Sequence, residues 1–182
     1  MNNSLGVIFG NRDFFPDHLV TEARKDIKKL FSELSIEGIM LSEKDSKLGG
    51  VETYHEAKKC AELFKKNKES IDGVLVVLPN FGDEKGVADT LKLAGLNVPV
   101  LIQGYPDDLN KLDVTNRRDA YCGKISVTNN LYQYGIKYSL TSKHVCLPAD
   151  ESFIHDLRKF VAVCRVVKGL SNVRIGAVGA RP

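Results

Sequence analysis

The segment that most constrains the fold is an apolar run in the middle of the chain. It reads Gly-Val-Leu-Val-Val-Leu and is bounded by Asp72 and Pro79. A short run with almost no polar residues is typical of a strand whose two faces are both covered, as at the centre of a parallel sheet. The run therefore predicts a sheet with helices on both sides.

Segments of strand and helix character alternate around this run. We predict strands at residues 5–10, 36–41, 72–79 and 98–103, with an amphipathic helix after each of the first three. Short right-handed connections between such strands make the sheet parallel. The predicted fold class is α/β, a doubly wound, mostly parallel sheet with helices on both faces, of the Rossmann or flavodoxin-like type.

The pattern loosens after residue 103. Residues 104–119 are polar with little periodicity, and loops of that length in a folded domain are usually functional or mobile. Beyond this loop we expect a helix at 125–134, a short strand at 143–147, a long helix at 149–170 and a further strand at 173–178. The last residues therefore read as a strand and its exit loop with no element after them. We expect the native protein to continue past Pro182; the alternative is a native terminal strand.

Composition narrows the classes of function. The hydrophobic fraction of 43% and the charged fraction of 27% are ordinary for globular proteins. The net charge of +3 is not gathered on one long segment, which argues against a nucleic-acid partner. No apolar run is long enough to span a membrane and no secretory leader opens the chain, so we predict a cytoplasmic protein without a membrane partner.

Several familiar kinds of site are not indicated. The four cysteines are far apart, without a CxxC pair or a cysteine–histidine cluster, which predicts reduced thiols and no structural metal. Neither a GxGxxG dinucleotide fingerprint nor a GxxxxGK[ST] phosphate loop occurs. The chain therefore has no motif for a nucleotide cofactor.

Polar and aromatic residues are concentrated in the loops that follow the first, third and fourth predicted strands. Ligands of open α/β sheets bind beyond the carboxyl ends of strands, so these loops are the expected site. The candidate substrate-binding residues are Asn11, Arg12, Asn80, Phe81, Asp83, Arg117 and Asp119. We assign no catalytic residue and no metal ligand within the chain.

Such a mixture of side chains suits a small-molecule sugar. Each sugar hydroxyl both donates and accepts a hydrogen bond, and an aromatic ring can cover an apolar sugar face. Two of the candidates also have a purely structural explanation. Asp83 can cap the helix that it precedes, and Asn80 can form an Asx turn.

Four segments together resemble one enzyme family. They are residues 10–16 (GNRDFFP), 79–84 (PNFGDE), 116–119 (NRRD) and 175–182 (IGAVGARP). In this order along the whole chain they resemble the L-fucose/L-arabinose isomerase family, and the similarity is closest to L-fucose isomerase-like proteins. Members of that family are longer, so the resemblance implies that residues 1–171 form the amino-terminal α/β domain, which recognises the substrate, and residues 172–182 the first strand of a middle domain.

The resemblance implies an enzymatic activity and a specific role for the amino-terminal domain. The family interconverts aldoses and ketoses through an enediol with a divalent metal, usually manganese, whose ligands lie beyond the part that this chain resembles. The amino-terminal domain supplies substrate recognition to the active site of a neighbouring subunit in a homo-oligomer. By position, Arg12 resembles the family's recognition arginine, and Phe81 stands where fucose isomerases carry tryptophan. Because phenylalanine lacks the indole N–H donor and has a smaller ring, the identity of the sugar stays open. We expect the isolated chain to be inactive.

Two other functions stay open at this point. The chain could be a free-standing α/β module that binds a sugar or another small molecule, in which case the native protein ends at Pro182. It could instead be a scaffold domain used for subunit contacts, in which case Arg12→Ala alters assembly without changing the Michaelis constant.

Overall fold

The computed structural model describes residues 3–171 and 173–179. Within these residues, five strands form one parallel sheet: β1 (Asn3–Phe9), β2 (Ile36–Ile39), β3 (Gly73–Leu78), β4 (Val100–Gly104) and β5 (Ser139–Leu140). Their spatial order is β2-β1-β3-β4-β5. This is the order of the flavodoxin-like doubly wound sheet, and it confirms the predicted fold class.

Helices cover both faces of the sheet. The described helices are α1 (His18–Glu33), α2 (Tyr54–Lys66), α3 (Glu84–Ala94), α4 (Ala120–Gln133) and α5 (Glu151–Leu170), with a short 3-10 helix at Lys47–Gly49. Helices α1 and α5 pack on one face, and α2, α3 and α4 pack on the other. The apolar side chains of the five helices are therefore buried in two cores, one on each face of the sheet.

The apolar run between Asp72 and Pro79 forms the centre of the sheet. Strand β3 is hydrogen-bonded to β1 on one side and to β4 on the other, and all six of its residues are buried. Its side chains alternate between the two cores: Leu75 and Val77 face α1 and α5, and Val74 and Val76 face the other helices. A strand buried on both faces needs apolar residues at every position, which explains the unbroken run.

Helix α4 begins earlier than predicted. The sequence places its start at residue 125, whereas the structure begins it at Ala120. The start is concealed because Asp119 lies in the left-handed region (φ 51°) and makes no side-chain capping hydrogen bond. Gly123, a poor helix former, occupies the first turn. The segment 121–124, which looks like loop in the sequence, is therefore helical.

The strand predicted at 143–147 is wrong. The short strand after α4 is β5, at Ser139–Leu140, where it pairs with Leu101 and Ile102 of β4. Residues 143–147 have no regular structure, although the Cys146 amide donates to the Gly104 carbonyl at 2.9 Å. One backbone hydrogen bond is insufficient to make a strand.

The strand predicted at 173–178 is absent as well. Residues 173–177 have no regular secondary structure, and Ile175 is 90% exposed. A strand needs a neighbouring backbone to accept its hydrogen bonds, and no described strand pairs with this segment. Residues 180–182 of the same motif lie outside the described residues. The assignment of 172–182 to a second domain stays a prediction.

The helix predicted at 149–170 and the loop predicted at 104–119 are confirmed. The helix is α5, and the loop runs from the end of β4 to the start of α4. Over the described ranges 3–171 and 173–179, no helix is long and apolar enough to cross a lipid bilayer.

Candidate functional site

The three candidate loops meet at one edge of the sheet. They follow β1, β3 and β4, which are adjacent strands. The chain reverses its direction of winding between β1 and β3, because β2 lies outside β1 and β4 lies outside β3. In doubly wound sheets this switch point opens a crevice at the carboxyl ends of the strands, and ligands bind there. The topology therefore places the candidate residues where a ligand is expected.

Two of the predicted residues, Asn11 and Asn80, join the loops to one another. Asn80 Nδ2 donates to Asn11 Oδ1 at 2.7 Å, and Asn11 Nδ2 donates to Glu52 Oε2 at 3.0 Å. Asn80 Oδ1 accepts from the Gly82 amide at 3.0 Å, which is the Asx turn considered above. Both asparagines are buried. Their hydrogen bonds connect the loop after β1 to the loop after β3, and burial raises the pKa of the Glu52 carboxyl that accepts from Asn11.

Cations and aromatic rings from three loops form the open part of the site. The guanidinium carbon of Arg12, after β1, lies 4.9 Å from the ring centroid of Phe81, after β3. The Phe81 ring stacks on Phe15 at 6.2 Å with an interplanar angle of 18°. Arg117, in the loop after β4, lies 5.2 Å from the ring of Phe14 and 5.4 Å from that of Phe15. We call these five side chains the Arg–Phe cluster.

Carboxylates accompany the cations of the cluster. Arg12 Nη1 lies 3.1 Å from Glu84 Oε2, and Arg117 Nε lies 3.5 Å from Asp119 Oδ2. The side chains of Arg12, Arg117 and Asp119 are between 36% and 43% exposed, so their polar atoms remain accessible to a ligand. The site therefore presents both donors and acceptors to solvent.

The remaining predicted residue, Asp83, has a structural role. Its carboxylate accepts a hydrogen bond from the Gly86 amide and caps α3, which is the alternative stated above. Burial raises the pKa of this carboxyl. All seven predicted residues thus lie at the same edge of the sheet, but Asn11, Asn80 and Asp83 are engaged in internal hydrogen bonds.

The structure adds residues that the sequence analysis did not select. Phe14 and Phe15 belong to the quoted segment 10–16, where two adjacent aromatics in a polar loop were an available signal. Glu84 is the last residue of the segment 79–84. Arg118 lies 4.9 Å from the Tyr105 ring and donates to the carbonyl of Pro79 at 2.9 Å, which no local pattern indicates.

The loop after β4 is held in place by Asp107. One oxygen of this carboxylate accepts from the backbone amides of Arg118, at 2.7 Å, and of Asp119, at 3.2 Å. The two amides belong to adjacent residues at the start of α4. This contact holds the backbone next to Arg117, whose side chain lies over the Phe14 and Phe15 rings.

The described part of the chain does not fit a metal centre. Among residues 3–171 and 173–179, no group of three or more His, Cys, Asp or Glu side chains could hold a metal ion. No chemical step is therefore assigned to a metal on this domain. What the Arg–Phe cluster can do chemically is bind, because it offers hydrogen-bonding groups beside aromatic faces.

The comparison with known families agrees with the resemblance carried by the four segments. A family model described as the N-terminal domain of fucose/sulfoquinovose isomerase matches residues 6–171 of the 182-residue chain. No curated protein matches the chain. The matched range includes all seven predicted site residues and the whole sheet beyond the first residues of β1. The chain belongs to the fucose/sulfoquinovose isomerase family, of which it is an N-terminal domain.

Proposed function

We propose that this domain recognises the substrate of an aldose-ketose isomerase, and that Arg12, Phe81 and Arg117 contact the sugar. The observation that carries the proposal is the Arg–Phe cluster, in which three loops bring guanidinium groups onto stacked rings at the switch point of the sheet. A phenyl face can cover the apolar side of a sugar, and guanidinium and carboxylate groups can bond its hydroxyls. Family membership supports the reaction type.

The charges around the cluster favour a neutral sugar. Each arginine at this edge has a carboxylate partner: Arg12 with Glu84, Arg117 with Asp119, and Arg118 with Glu22 at 3.3 Å. An anionic sugar would have to compete with these carboxylates for the guanidinium groups, whereas a neutral hydroxyl can bond to either charge. We infer that the substrate is a neutral pentose or deoxyhexose rather than a sulfonated sugar.

We also propose that a neighbouring subunit completes the site. The cluster is open on its solvent side, where Phe14 is 67% exposed, and the adjoining loop exposes Leu109, Leu112 and Val114. Large apolar side chains beside a half-exposed binding site are typical of an interface. A homo-oligomer, manganese dependence, inactivity of the isolated domain and a cytoplasmic location all stay predictions for the complete protein.

The experiment uses the complete protein from the native gene, supplied with Mn²⁺. It should isomerise at least one neutral aldose in a panel that includes L-fucose and L-arabinose, and should turn over sulfoquinovose more slowly. Arg12→Lys keeps the charge but loses the planar guanidinium on Phe81, so we expect the KM for the sugar to rise about 10-fold. Arg158→Lys, on the exposed side of α5, is the matched control and should leave KM unchanged.

The outcomes separate the possible functions. Turnover of no aldose in the panel would contradict the isomerase proposal, and sugar binding without turnover would support a binding module instead. A faster reaction with sulfoquinovose than with any neutral aldose would contradict the substrate class. Equal KM values for Arg12→Lys and Arg158→Lys would remove Arg12 from the site.

A further inference from the structure

A glycine in α4 lies against the backbone of the loop that carries Phe81. A Cβ atom placed on Gly123 would overlap the carbonyl oxygen of Phe81 and would lie 2.5 Å from its carbonyl carbon and 2.6 Å from its Cα. Ordinary van der Waals contact begins near 3.4 Å. Since every one of these atoms belongs to the backbone, no rotation of a side chain could relieve the overlap. Helix and loop can approach this closely only because residue 123 has no side chain.

A second helical glycine shows that a glycine within a helix does not by itself bring such a contact. Gly169 lies in α5, and a Cβ atom added there would meet nothing within 4 Å. Glycine is a poor helix former, so its presence inside a helix calls for a local reason. At Gly123 the contact with Phe81 is that reason, whereas at Gly169 the described surroundings supply none.

The opposite side of the same loop faces the end of β1 and is less tightly packed. Gly82 has a φ of +73°, in the left-handed region that favours glycine, and its added Cβ would lie 2.8 Å from Leu78 Cδ2 and 3.6 Å from the carbonyl of Gly10. The backbone of Phe81 therefore lies between the end of β1 and the first turn of α4. The Gly10 carbonyl is at an ordinary contact distance from this added atom, so the loop can be displaced toward Gly10 but not toward α4.

Helix α4 is itself anchored where it contacts the loop. The Lys124 side chain is fully buried, and its Nζ donates to Thr141 Oγ1 and to the His144 carbonyl, each at 2.7 Å. The first turn of α4 is thus fixed to the segment that follows β5. Helix α4 is thus anchored on one side and contacts the backbone of the Phe81 loop on the other. It therefore prevents the loop from moving toward it.

We propose that Gly123 is a positioning residue, which sets the place of Phe81 beneath the Arg12 guanidinium and beside the Phe15 ring. The inference rests on the proposed function only in that Phe81 is taken to contact the sugar. Any side chain at residue 123 must push the Phe81 backbone away from α4, and this movement separates the ring from its two partners. The consequence is a loosened binding site in a folded domain.

The test uses tryptophan as a reporter. The chain contains no tryptophan, so Phe81→Trp places a single indole in the Arg–Phe cluster. In this background, Gly123→Ala should shift the emission to longer wavelength and increase quenching by acrylamide at least about two-fold, because the ring leaves its packed position. Gly169→Ala, the matched helical control, should leave both unchanged. Circular dichroism verifies that each variant is folded.

An emission spectrum and a quenching constant for Gly123→Ala equal to those of Gly169→Ala would overturn the proposal. If Gly123→Ala does not fold, Ala120→Gly loosens the first turn of α4 without adding an atom, and Ala61→Gly in α2 is its control; both alanines are buried. The proposal then requires increased quenching of Trp in position 81 for Ala120→Gly alone. Equal quenching in the two variants would overturn it.

The reporter separates this inference from the proposed function, because it needs no ligand. A displaced indole in a protein that isomerises no aldose would contradict the function and leave the positioning role intact. In an active complete protein, Gly123→Ala should raise the KM for the accepted aldose several-fold with less effect on kcat, whereas Gly169→Ala should change neither. An unchanged KM together with a displaced indole would show that Phe81 does not contact the sugar.

Discussion

Helices α2 and α4 pack on the same face of the sheet, yet they are built in opposite ways. Helix α2 begins with a complete capping box, in which the Thr53 hydroxyl accepts from the Glu56 amide and the Glu56 carboxylate accepts from the Thr53 amide. Helix α4 begins at a left-handed Asp119 that makes no side-chain cap, has a glycine in its first turn and buries a lysine next to it. Both helices nevertheless bury apolar residues in one core.

The difference separates two tasks. The signals that form α2 are local, and its buried stripe of Ala57, Cys60, Ala61 and Phe64 serves the core alone. The signals that fix α4 are distant in sequence, because its first turn is held by the loop after β3, by Asp107 and by the segment after β5. Helix α2 stabilises the domain, whereas α4 positions the site. Three predictions test this contrast.

The largest effect is expected in α2. Phe64 is fully buried, with its ring against Gly6 of β1, so Phe64→Ala should lower the free energy of unfolding by about 3–5 kcal/mol. Urea denaturation measures this loss. In the Phe81→Trp background the same variant should leave acrylamide quenching unchanged at low denaturant. A change in quenching would show that α2 also governs the site and would remove the contrast.

The next effect concerns Lys124 of α4. Burial lowers the pKa of this ammonium group from 10.5 to about 8, and nearby Cys146 and Asp156 oppose the shift only in part. Because the unfolded chain binds the proton more tightly, the lysine destabilises the fold below pH 8, and this penalty is relieved as the pH rises from about 8 toward 10.5. Methionine does not titrate, so Lys124→Met should lack this dependence of the unfolding free energy on pH.

The measurement is the difference in free energy of unfolding between Lys124→Met and the parent chain at several pH values. Relative to the parent, Lys124→Met should lose on the order of 2 kcal/mol between pH 8 and pH 10. The buried thiol of Cys60, whose pKa burial raises, is present in both chains and cancels in the difference. A difference that stays constant with pH would contradict a charged, buried lysine as the anchor of α4.

The smallest effect compares the two helix starts. Thr53→Ala removes the hydroxyl of the capping box and should cost about 1 kcal/mol of unfolding free energy. Asp119→Asn removes a charge but no capping bond, and its ion pair with Arg117 is partly exposed, so the change should stay within about 0.5 kcal/mol. Thermal unfolding of the two variants verifies the order, and a larger loss for Asp119→Asn would reverse it.

Much of the fold could be predicted because its signals repeat along the chain. The apolar run of β3, the amphipathic stripe of α5 and the alternation of strands and helices each depend on nearby residues. The predictions that are wrong concern the start of α4 and the two strands at 143–147 and 173–178. A helix start without a cap has no local signature, and apolar residues form a strand only where another backbone accepts their hydrogen bonds.

The candidate site was predicted in part, for a related reason. Sequence placed the seven residues correctly at one edge, because the carboxyl ends of parallel strands share that edge. It did not show that Asn11 and Asn80 are buried partners of each other, or that Phe15 stacks on Phe81. These contacts join residues that are far apart in the chain. The same residue types are also common in loops that are exposed to solvent, so their presence alone does not indicate the contacts.

The amino-acid pattern is sufficient to predict the class of sheet, the burial of its central strand and the loops at which a ligand is expected. Periodicity and apolar content are sufficient for these predictions, because they indicate which positions are buried away from water. The packing of the folded domain shows, in addition, which side chains of those loops are exposed and that Gly123 lies against Phe81. The reason is steric: a backbone contact between distant segments depends on where both are held, and no local pattern encodes that distance.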